Sequence, residues 1–134
     1  MYSRLPLIYH GETALDRWLL WETRYFSVWL HKFVMTEREG YYHVHPFWLL
    51  KFIIWRGYVE WLVPIDGGTP RRRNCRPGMI LYQGRSIGHR VLLRGEKPSW
   101  SFCIYGPYQG QGIFFKGGKR LPYNDYMMKT RTKE

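Results

Sequence analysis

The segment from Gly40 to Trp61, GYYHVHPFWLLKFIIWRGYVEW, sets the tightest limit on how this chain can fold. It begins with His43 and His45 and continues as a long, nearly uncharged apolar run. Lys51 and Arg56 interrupt this run, so it falls short of the roughly 18 apolar residues that a membrane-spanning helix needs. Its aromatic and β-branched residues favour pleated strands. We predict buried strands at 42–46, 50–56 and 58–63.

Similar short runs recur on both sides of this segment. The sequence FSVWLHKFV at 26–34 alternates Val28 and Leu30 with Trp29, His31 and Phe33, which predicts a strand. Residues 15–22 fit a helix or a strand, and the stretch PIDGGTPRRRNCRP at 64–77 predicts a loop. Further strands are predicted at 79–82, 89–93, 101–105 and 112–115. Short strands separated by Gly and Pro turns are typical of an all-β sandwich or barrel.

The length of 134 residues suits one domain, 1–134, and is too short for two ordinary ones. The net charge of +11 lies entirely in the second half, where residues 68–134 hold fourteen Lys/Arg against three Asp/Glu. This asymmetry favours an anionic partner, which could be a nucleotide, a nucleic acid or an acidic protein. The polar, basic tail from about 126 to 134 is expected to fray.

The two cysteines, Cys75 and Cys103, have no spacing typical of a zinc site or a disulfide framework. The N-terminal residues do not resemble a secretory signal, so a cytoplasmic location without membrane association is expected. Cys103 lies in an apolar strand and is expected to be a buried, inert thiol. Cys75 lies among arginines, which would lower its pKa if it were exposed.

Alternation along a strand would place His43 and His45 on the same face. Such a pair is either a structural pair at a strand edge or two ligands of a metal ion. His89 begins a later predicted strand and is a candidate third ligand, whereas His31 is expected to be structural. The basic residues at 71–76 either solubilise their loop or attract a phosphate or carboxylate to the mouth of a barrel.

Several strings in the chain, taken together, resemble the small cupin-like proteins of phages and prophages, over about residues 26–115. The strings are WLHKF at 29–33, HVHPF at 43–47, RGYVE at 56–60, RPG at 76–78, HRV at 89–91 and PSWSFCIYGP at 98–107. The resemblance implies a single-domain double-stranded β-helix, or jelly-roll barrel. The chain departs from the cupin pattern because the expected ligand glutamate is Leu50 and an expected aspartate is Val44, although the motif glycine is present as Gly57.

Without that glutamate, the implied site is formed by His43, His45 and His89 alone. It is similar to the three-histidine iron site of cysteine dioxygenase and related thiol dioxygenases, which implies an Fe(II) centre. Zinc is equally compatible with three imidazoles, and nickel and manganese are further options. Since no carboxylate ligand would neutralise the ion, the centre would favour anionic donors such as a thiolate. Candidate ligand-binding residues are Arg56, Tyr58, Tyr82, Trp100 and Tyr105.

Three functions are compatible with the sequence. The first is a metal-dependent dioxygenase acting on a small anionic or thiol substrate, although no acid–base partner can be assigned. The second is a non-catalytic phage-type cupin that binds an anionic ligand, a nucleotide or a host protein in a bacterial cytoplasm through its basic loops. The third is nucleic-acid binding through the basic C-terminal half. Cupins commonly dimerise through sheet edges, so a homodimer is expected.

Overall fold

A computed structural model of the chain describes residues 3–5, 7–9, 12–34, 42–109, 112–116 and 119–122. Thirteen strands and one short 3-10 turn (Arg94–Glu96) make up its regular structure. The strands are β1 (Ser3–Arg4), β2 (Leu7–Tyr9), β3 (Glu12–Glu22), β4 (Ser27–Phe33), β5 (Tyr42–Val44), β6 (Leu49–Trp55), β7 (Tyr58–Pro64), β8 (Arg71–Cys75), β9 (Ile80–Gln83), β10 (Ile87–Leu93), β11 (Ser99–Tyr105), β12 (Ile113–Lys116) and β13 (Lys119–Pro122). The all-β prediction is confirmed.

The strands form two antiparallel sheets. The first sheet has the order β1-β3-β4-β11-β6-β9, with β2 also paired to β3. The second sheet has the order β13-β12-β5-β10-β7-β8. Strands adjacent in a sheet are mostly distant in sequence, as in a jelly roll. The main core cluster contains residues of both sheets, so the two sheets pack face to face.

Alternation decides which side chains fill the space between the sheets. In β4, Trp29, His31 and Phe33 are buried, as the sequence pattern predicts. The inward positions of β6 and β7 include two charged residues, Lys51 and Glu60, among otherwise apolar neighbours. The interior of this barrel therefore contains a buried cation and a buried anion among apolar side chains.

The prediction of a loop across 64–77 is wrong for part of that range. Residues 71–75 form β8, which pairs with β7 at the edge of the second sheet. An edge strand needs apolar side chains on one face only, and here just Cys75 is buried while Arg71 and Arg72 are exposed. Residues 71–75 therefore lack the alternation of apolar and polar side chains from which a strand would be predicted. Residues 15–22, which fit either a helix or a strand, belong to β3, and the tail at 126–134 lies outside the described residues.

The turn between β6 and β7 requires a glycine. Gly57 has a φ of +76°, and a Cβ added there would lie 2.0 Å from the carbonyl oxygen of Cys75. Arg56, beside it, also has a positive φ of 67°. The absence of a Cβ at Gly57 allows the end of β8 to lie close against the turn that precedes β7. In the part of the chain that the structure describes, no helix is long and apolar enough to cross a membrane.

Candidate metal centre

Three histidines converge at one end of the second sheet. His43 lies in β5 directly opposite His89 in β10, and His45 follows the end of β5. The ring centroids are 4.2 Å apart for His43 and His89, 5.0 Å for His45 and His89, and 5.2 Å for His43 and His45. One ring nitrogen from each residue lies within 4.8 Å of the other two. The structure therefore brings together the three side chains that the sequence analysis selected as metal ligands.

Glu60 orients His89. Its Oε2 atom lies 2.6 Å from Nδ1 of His89, so the neutral ring donates its Nδ1 proton to the carboxylate. The lone pair of the ring is then on Nε2, which faces Nε2 of His45 at 3.0 Å. Two imidazole nitrogens bound to the same ion at about 2.1 Å are separated by roughly 3.0–3.4 Å, depending on the coordination angle. The donor set and its spacing fit a divalent metal ion.

Burial keeps these imidazoles neutral. Removal from water lowers the pKa of His43 and of His45 well below the usual value, and the positive charge of a protonated neighbouring histidine would lower both further. The pKa of His89 is also lowered by burial, although the hydrogen bond to Glu60 opposes this effect. Neutral imidazoles have the lone pairs that metal binding requires.

Glu60 is the centre of a buried ion network. Besides His89, its carboxylate accepts hydrogen bonds from Nζ of Lys51 at 2.5 Å and from Nη2 of Arg73 at 2.6 Å, and Sγ of Cys75 lies 3.7 Å away. Burial alone would raise the pKa of Glu60, but Lys51, His89 and Arg73 hold it well below its usual range. Lys51 belongs to the first sheet and Glu60 to the second, so this ion pair connects the two sheets beside the histidines.

A second group of polar side chains lies on the inner face of the first sheet. His31 is hydrogen-bonded to the hydroxyl of Tyr105 at 2.5 Å, and its Nδ1 lies 3.4 Å from Sγ of Cys103. Burial lowers the pKa of His31 well below its usual value and raises the pKa of Cys103 to about 12. Within the described residues His31 is not part of the three-histidine group, which agrees with its predicted structural role.

Aromatic side chains connect Tyr105 with the histidine cluster. Phe47 stacks on the ring of Tyr105 at 4.3 Å and on the ring of His45 at 5.1 Å. Trp29 stacks on the other side of Tyr105 at 5.2 Å. These rings form an apolar wall beside the candidate metal centre.

The candidate ligand-binding residues divide into two groups. Tyr58 and Tyr105 are buried inside the barrel, and Tyr58 packs beneath Lys51. Trp100 alternates with the buried Ser99 and Ser101 and therefore faces outward. The prediction that Arg56, Tyr82 and Trp100 line the pocket is not supported, because Arg56 lies in the exposed β6–β7 turn and Tyr82 is 62% exposed on the outer side of β9.

Three inward-facing charged residues, Glu60, Lys51 and Arg17, were not among the site residues predicted from the sequence. Glu60 and Lys51 occupy inward positions of strands that had been predicted, so the alternation rule alone would have placed them inside. Leu50, the position expected for a ligand glutamate, lies on the outward side of β6. A carboxylate at position 50 would point away from the histidines.

Arg17, rather than Arg56, lies on the inner face of the first sheet. It lies in β3 opposite His31, and its guanidinium carbon is 4.9 Å from the centroid of the Trp29 ring. Its Nε donates a hydrogen bond to the carbonyl oxygen of Leu5. The pKa of His45 is lowered mainly by burial and then by the charges of His89, Lys51 and His31. The positive charge of Arg17 makes a smaller contribution in the same direction. Arg17 is therefore a cation on the same side of the barrel as the candidate metal centre.

The two sheets and their connectivity match proteins of known structure. A cupin-2 domain from Rhodospirillum rubrum superposes with a TM-score of 0.65 at 8% identity, covering 95% of this chain and 80% of that one. The chain has a cupin-like fold. Fe(II)-HppE, crystallised with an alternative substrate, gives a TM-score of 0.65 at 8% identity over 78% of this chain, and the match spans 55% of its length.

A third match is Bacillus subtilis oxalate decarboxylase, which has Mn(II) centres. It gives a TM-score of 0.60 at 16% identity, covering 81% of this chain and 29% of that one. No protein-family profile matches the sequence, and no curated protein sequence matches it. At these identities the structural likeness shows the fold alone.

Proposed function

We propose that this chain binds a divalent first-row metal ion through His43, His45 and His89 and catalyses the oxygenation of a small anionic or thiol substrate. The observation that carries the proposal is the convergence of three neutral imidazoles, of which His43 and His89 are buried and His89 is oriented by a carboxylate. Iron(II) is the ion that suits this chemistry best. When bound, it would supply electrons to dioxygen and would accept a thiolate or carboxylate from the substrate.

The charges of the interior favour an anionic substrate. Three neutral histidines leave the charge of a bound ion uncompensated, and the single negative charge of Glu60 is already shared between Lys51 and Arg73. Arg17 adds a further positive charge on the inner face. A substrate with a thiolate at one end and a carboxylate at the other would be attracted at both ends.

The chain's own side chains supply binding and orientation. In the proposed reaction, Arg17 holds the substrate carboxylate. His31 donates its Nε2 proton to the hydroxyl oxygen of Tyr105, so the hydroxyl proton of Tyr105 is left to donate a hydrogen bond to the same carboxylate. The Phe47 ring, stacked between Tyr105 and His45, excludes water from the space between this anchor and the metal ligands. Glu60 holds the proton on Nδ1 of His89 and keeps Nε2 directed at the ion.

Metal analysis of anaerobically purified, Fe(II)-loaded protein tests the metal site. We expect about one ion per chain in the wild type and a loss of at least about tenfold in affinity in His89→Ala. His31→Gln is the matched control, because it also replaces a buried histidine of the barrel but lies outside the cluster. Equal metal content in the wild type and His89→Ala, with both variants folded by circular dichroism, would refute the assignment.

Oxygen consumption by the loaded protein tests the substrate class. Small thiols that carry a carboxylate should stimulate it, and thiols of similar size that carry only an ammonium group should not. Arg17→Met should raise KM for the carboxylate thiol with little effect on metal content. If the two thiols react equally, the role of Arg17 is wrong. If neither reacts although metal is bound, the oxygenase proposal fails and the metal site stands.

A second candidate function is the non-catalytic capture of an anionic ligand, a nucleotide or a host protein through the basic loops, and nucleic-acid binding through the basic C-terminal half is the third. It is favoured by β8, which exposes Arg71 and Arg72 at the edge of the second sheet. Retention on heparin or DNA that weakens steeply with salt, and is lost in Arg71→Ala/Arg72→Ala, would support it. A phage origin and a cytoplasmic location remain predictions.

A further inference from the structure

Gln83 carries a buried hydrogen-bond acceptor that has no donor among the described residues. The side chain points inward from the end of β9 and is 3% exposed. Its Nε2 donates a hydrogen bond of 3.2 Å to the carbonyl oxygen of Ile87, which fixes the orientation of the amide. The amide oxygen, Oε1, is therefore held in one direction inside the barrel, and it is buried without a hydrogen bond.

The unpaired amide oxygen indicates a bound molecule. The great majority of buried polar atoms in native proteins are hydrogen-bonded, and an exception requires an explanation such as a functional role or a bound molecule. An apolar side chain of similar size, such as Leu or Met, would fill the same space without leaving an acceptor unsatisfied. The buried oxygen of Gln83 therefore points to a hydrogen-bond donor that a ligand supplies.

Two structural links place Gln83 beside the candidate metal centre. In β10, Ile87 precedes His89 by two residues, so the amide is anchored about 7 Å along the strand from this ligand. In the first sheet, Gln83 lies directly opposite Leu49 of β6. Leu49 belongs to the same buried cluster as Phe47, whose ring is part of the apolar wall beside the histidines. The amide is therefore positioned between this wall and the strand that carries His89.

We propose that Gln83 is a specificity-determining residue of this centre, and that its Oε1 accepts a hydrogen bond from a neutral hydroxyl group of the substrate. The inference rests on the proposed oxygenase function and narrows its substrate class to small hydroxylated thiol acids. The thiolate is assigned to the metal ligands and the carboxylate to Arg17. A hydroxyl group on the same small molecule is then the donor available to the amide.

The charges of the interior favour a neutral donor over an ammonium group, which could also donate to an amide oxygen. Lys51 and Arg73 already surround the carboxylate of Glu60. Arg17 adds a third cation on the inner face of the first sheet, and a bound metal ion would add more positive charge. A further cation on the substrate would be repelled in this buried space, where charges interact more strongly than in water. A hydroxyl group donates the same hydrogen bond without that repulsion.

Titration calorimetry of the Zn(II)-loaded protein measures ligand binding without turnover and tests the inference. The ligands are 3-mercaptopropionic acid and its two derivatives with a hydroxyl or an ammonium group on the carbon next to the carboxylate. We expect the hydroxyl compound to bind about tenfold more tightly than the unsubstituted acid, and the ammonium compound to bind less tightly than the hydroxyl compound. Gln83→Leu should bind the hydroxyl compound and the unsubstituted acid equally, because the acceptor is absent.

Two further variants separate recognition by Gln83 from a structural role. Gln83→Glu places a carboxylate at the same position and should shift the preference towards the ammonium compound, a change that a structural role would not produce. Leu81→Ala alters the preceding inward position of β9 and should lower stability while the ratio of the affinities stays the same.

The outcomes distinguish this inference from the proposed function. Equal affinities of the wild type for the hydroxyl compound and the unsubstituted acid would overturn the role of Gln83, and the amide oxygen would then be assigned to a buried water. A hydroxyl preference that persists in Gln83→Leu would overturn it as well, because the metal ion would then be binding the hydroxyl. The metal site and the thiol-acid class stand in both cases. If no thiol acid binds the zinc-loaded protein, the proposed substrate class fails and this inference fails with it.

Discussion

The ion network around Glu60 leads to a quantitative prediction about stability. In Glu60→Gln the carboxylate is replaced by a neutral amide, so Lys51 is left as a cation that is only 2% exposed. Removing one partner of a buried ion pair costs about 3–5 kcal/mol, because the remaining charge is buried without compensation. Arg73 is 21% exposed and can turn its guanidinium towards water. The loss of its ion pair therefore adds less to the cost of Glu60→Gln than the loss of the Lys51 ion pair.

The reverse change should be milder. In Lys51→Met the carboxylate still accepts hydrogen bonds from Arg73 and His89, so the lost hydrogen bond costs about 2 kcal/mol. The double variant contains neither the buried cation nor its counter-charge. Its cost should be about 2–3 kcal/mol, well below the sum of the two single changes.

Urea unfolding of the metal-free wild type, both single variants and the double variant measures this coupling as a double-mutant cycle. Arg73→Met is the control, since it removes a partner that solvent can replace and should cost about 1 kcal/mol. Additivity of the Glu60 and Lys51 changes within about 0.5 kcal/mol would show that the two groups do not interact as the structure indicates. A loss of less than about 1 kcal/mol in the free energy of unfolding of Glu60→Gln would also show that the two groups do not interact in this way.

Two other predictions concern the turn and the buried histidines. Gly57→Ala should cost about 4 kcal/mol or more, since its Cβ would overlap the carbonyl of Cys75, whereas Gly78→Ala, with a φ of +91° but open space, should cost about 1–2 kcal/mol in thermal or urea unfolding. The pKa values of His31 and His43 are lowered in the folded state, so the unfolded chain binds protons first as the pH falls below the ordinary value of 6.5. Stability of the metal-free protein should therefore be complete above that pH and fall below it by about 1.4 kcal/mol per pH unit for each histidine, and a flat profile from pH 7.5 to 5 would contradict their burial.

The sequence was most informative where alternation is regular. Strands β4, β6, β7, β10 and β11 lie close to their predicted ranges, because one face of each packs against the opposite sheet and periodicity reports that burial. Strand β8 escaped prediction because Arg71 and Arg72 are exposed and the strand is held by main-chain pairing with β7. A hydrogen-bonding partner distant in sequence leaves no periodic signal.

The candidate site shows the same limits. The three histidines could be selected because their residue type and order resemble a known arrangement. The partners of Glu60 could not, because Lys51 and Arg73 lie 9 and 13 residues away along the chain, and only the pairing of strands brings them together. Arg56 was chosen because it flanks the proposed ligands in sequence, but it has a positive φ and lies in an exposed turn. Local pattern identifies which residues face inward, and topology decides which of them meet.

Glu60 links the stability of the fold to the chemistry of the candidate metal centre, two properties that can usually change independently. The same carboxylate holds the two layers of the barrel together through Lys51 and fixes the tautomer of His89. A mutation that tunes the chemistry of the centre through this position will also alter the melting temperature. Directed evolution of a new activity in this scaffold should therefore begin from a variant stabilised elsewhere, with position 60 left unchanged.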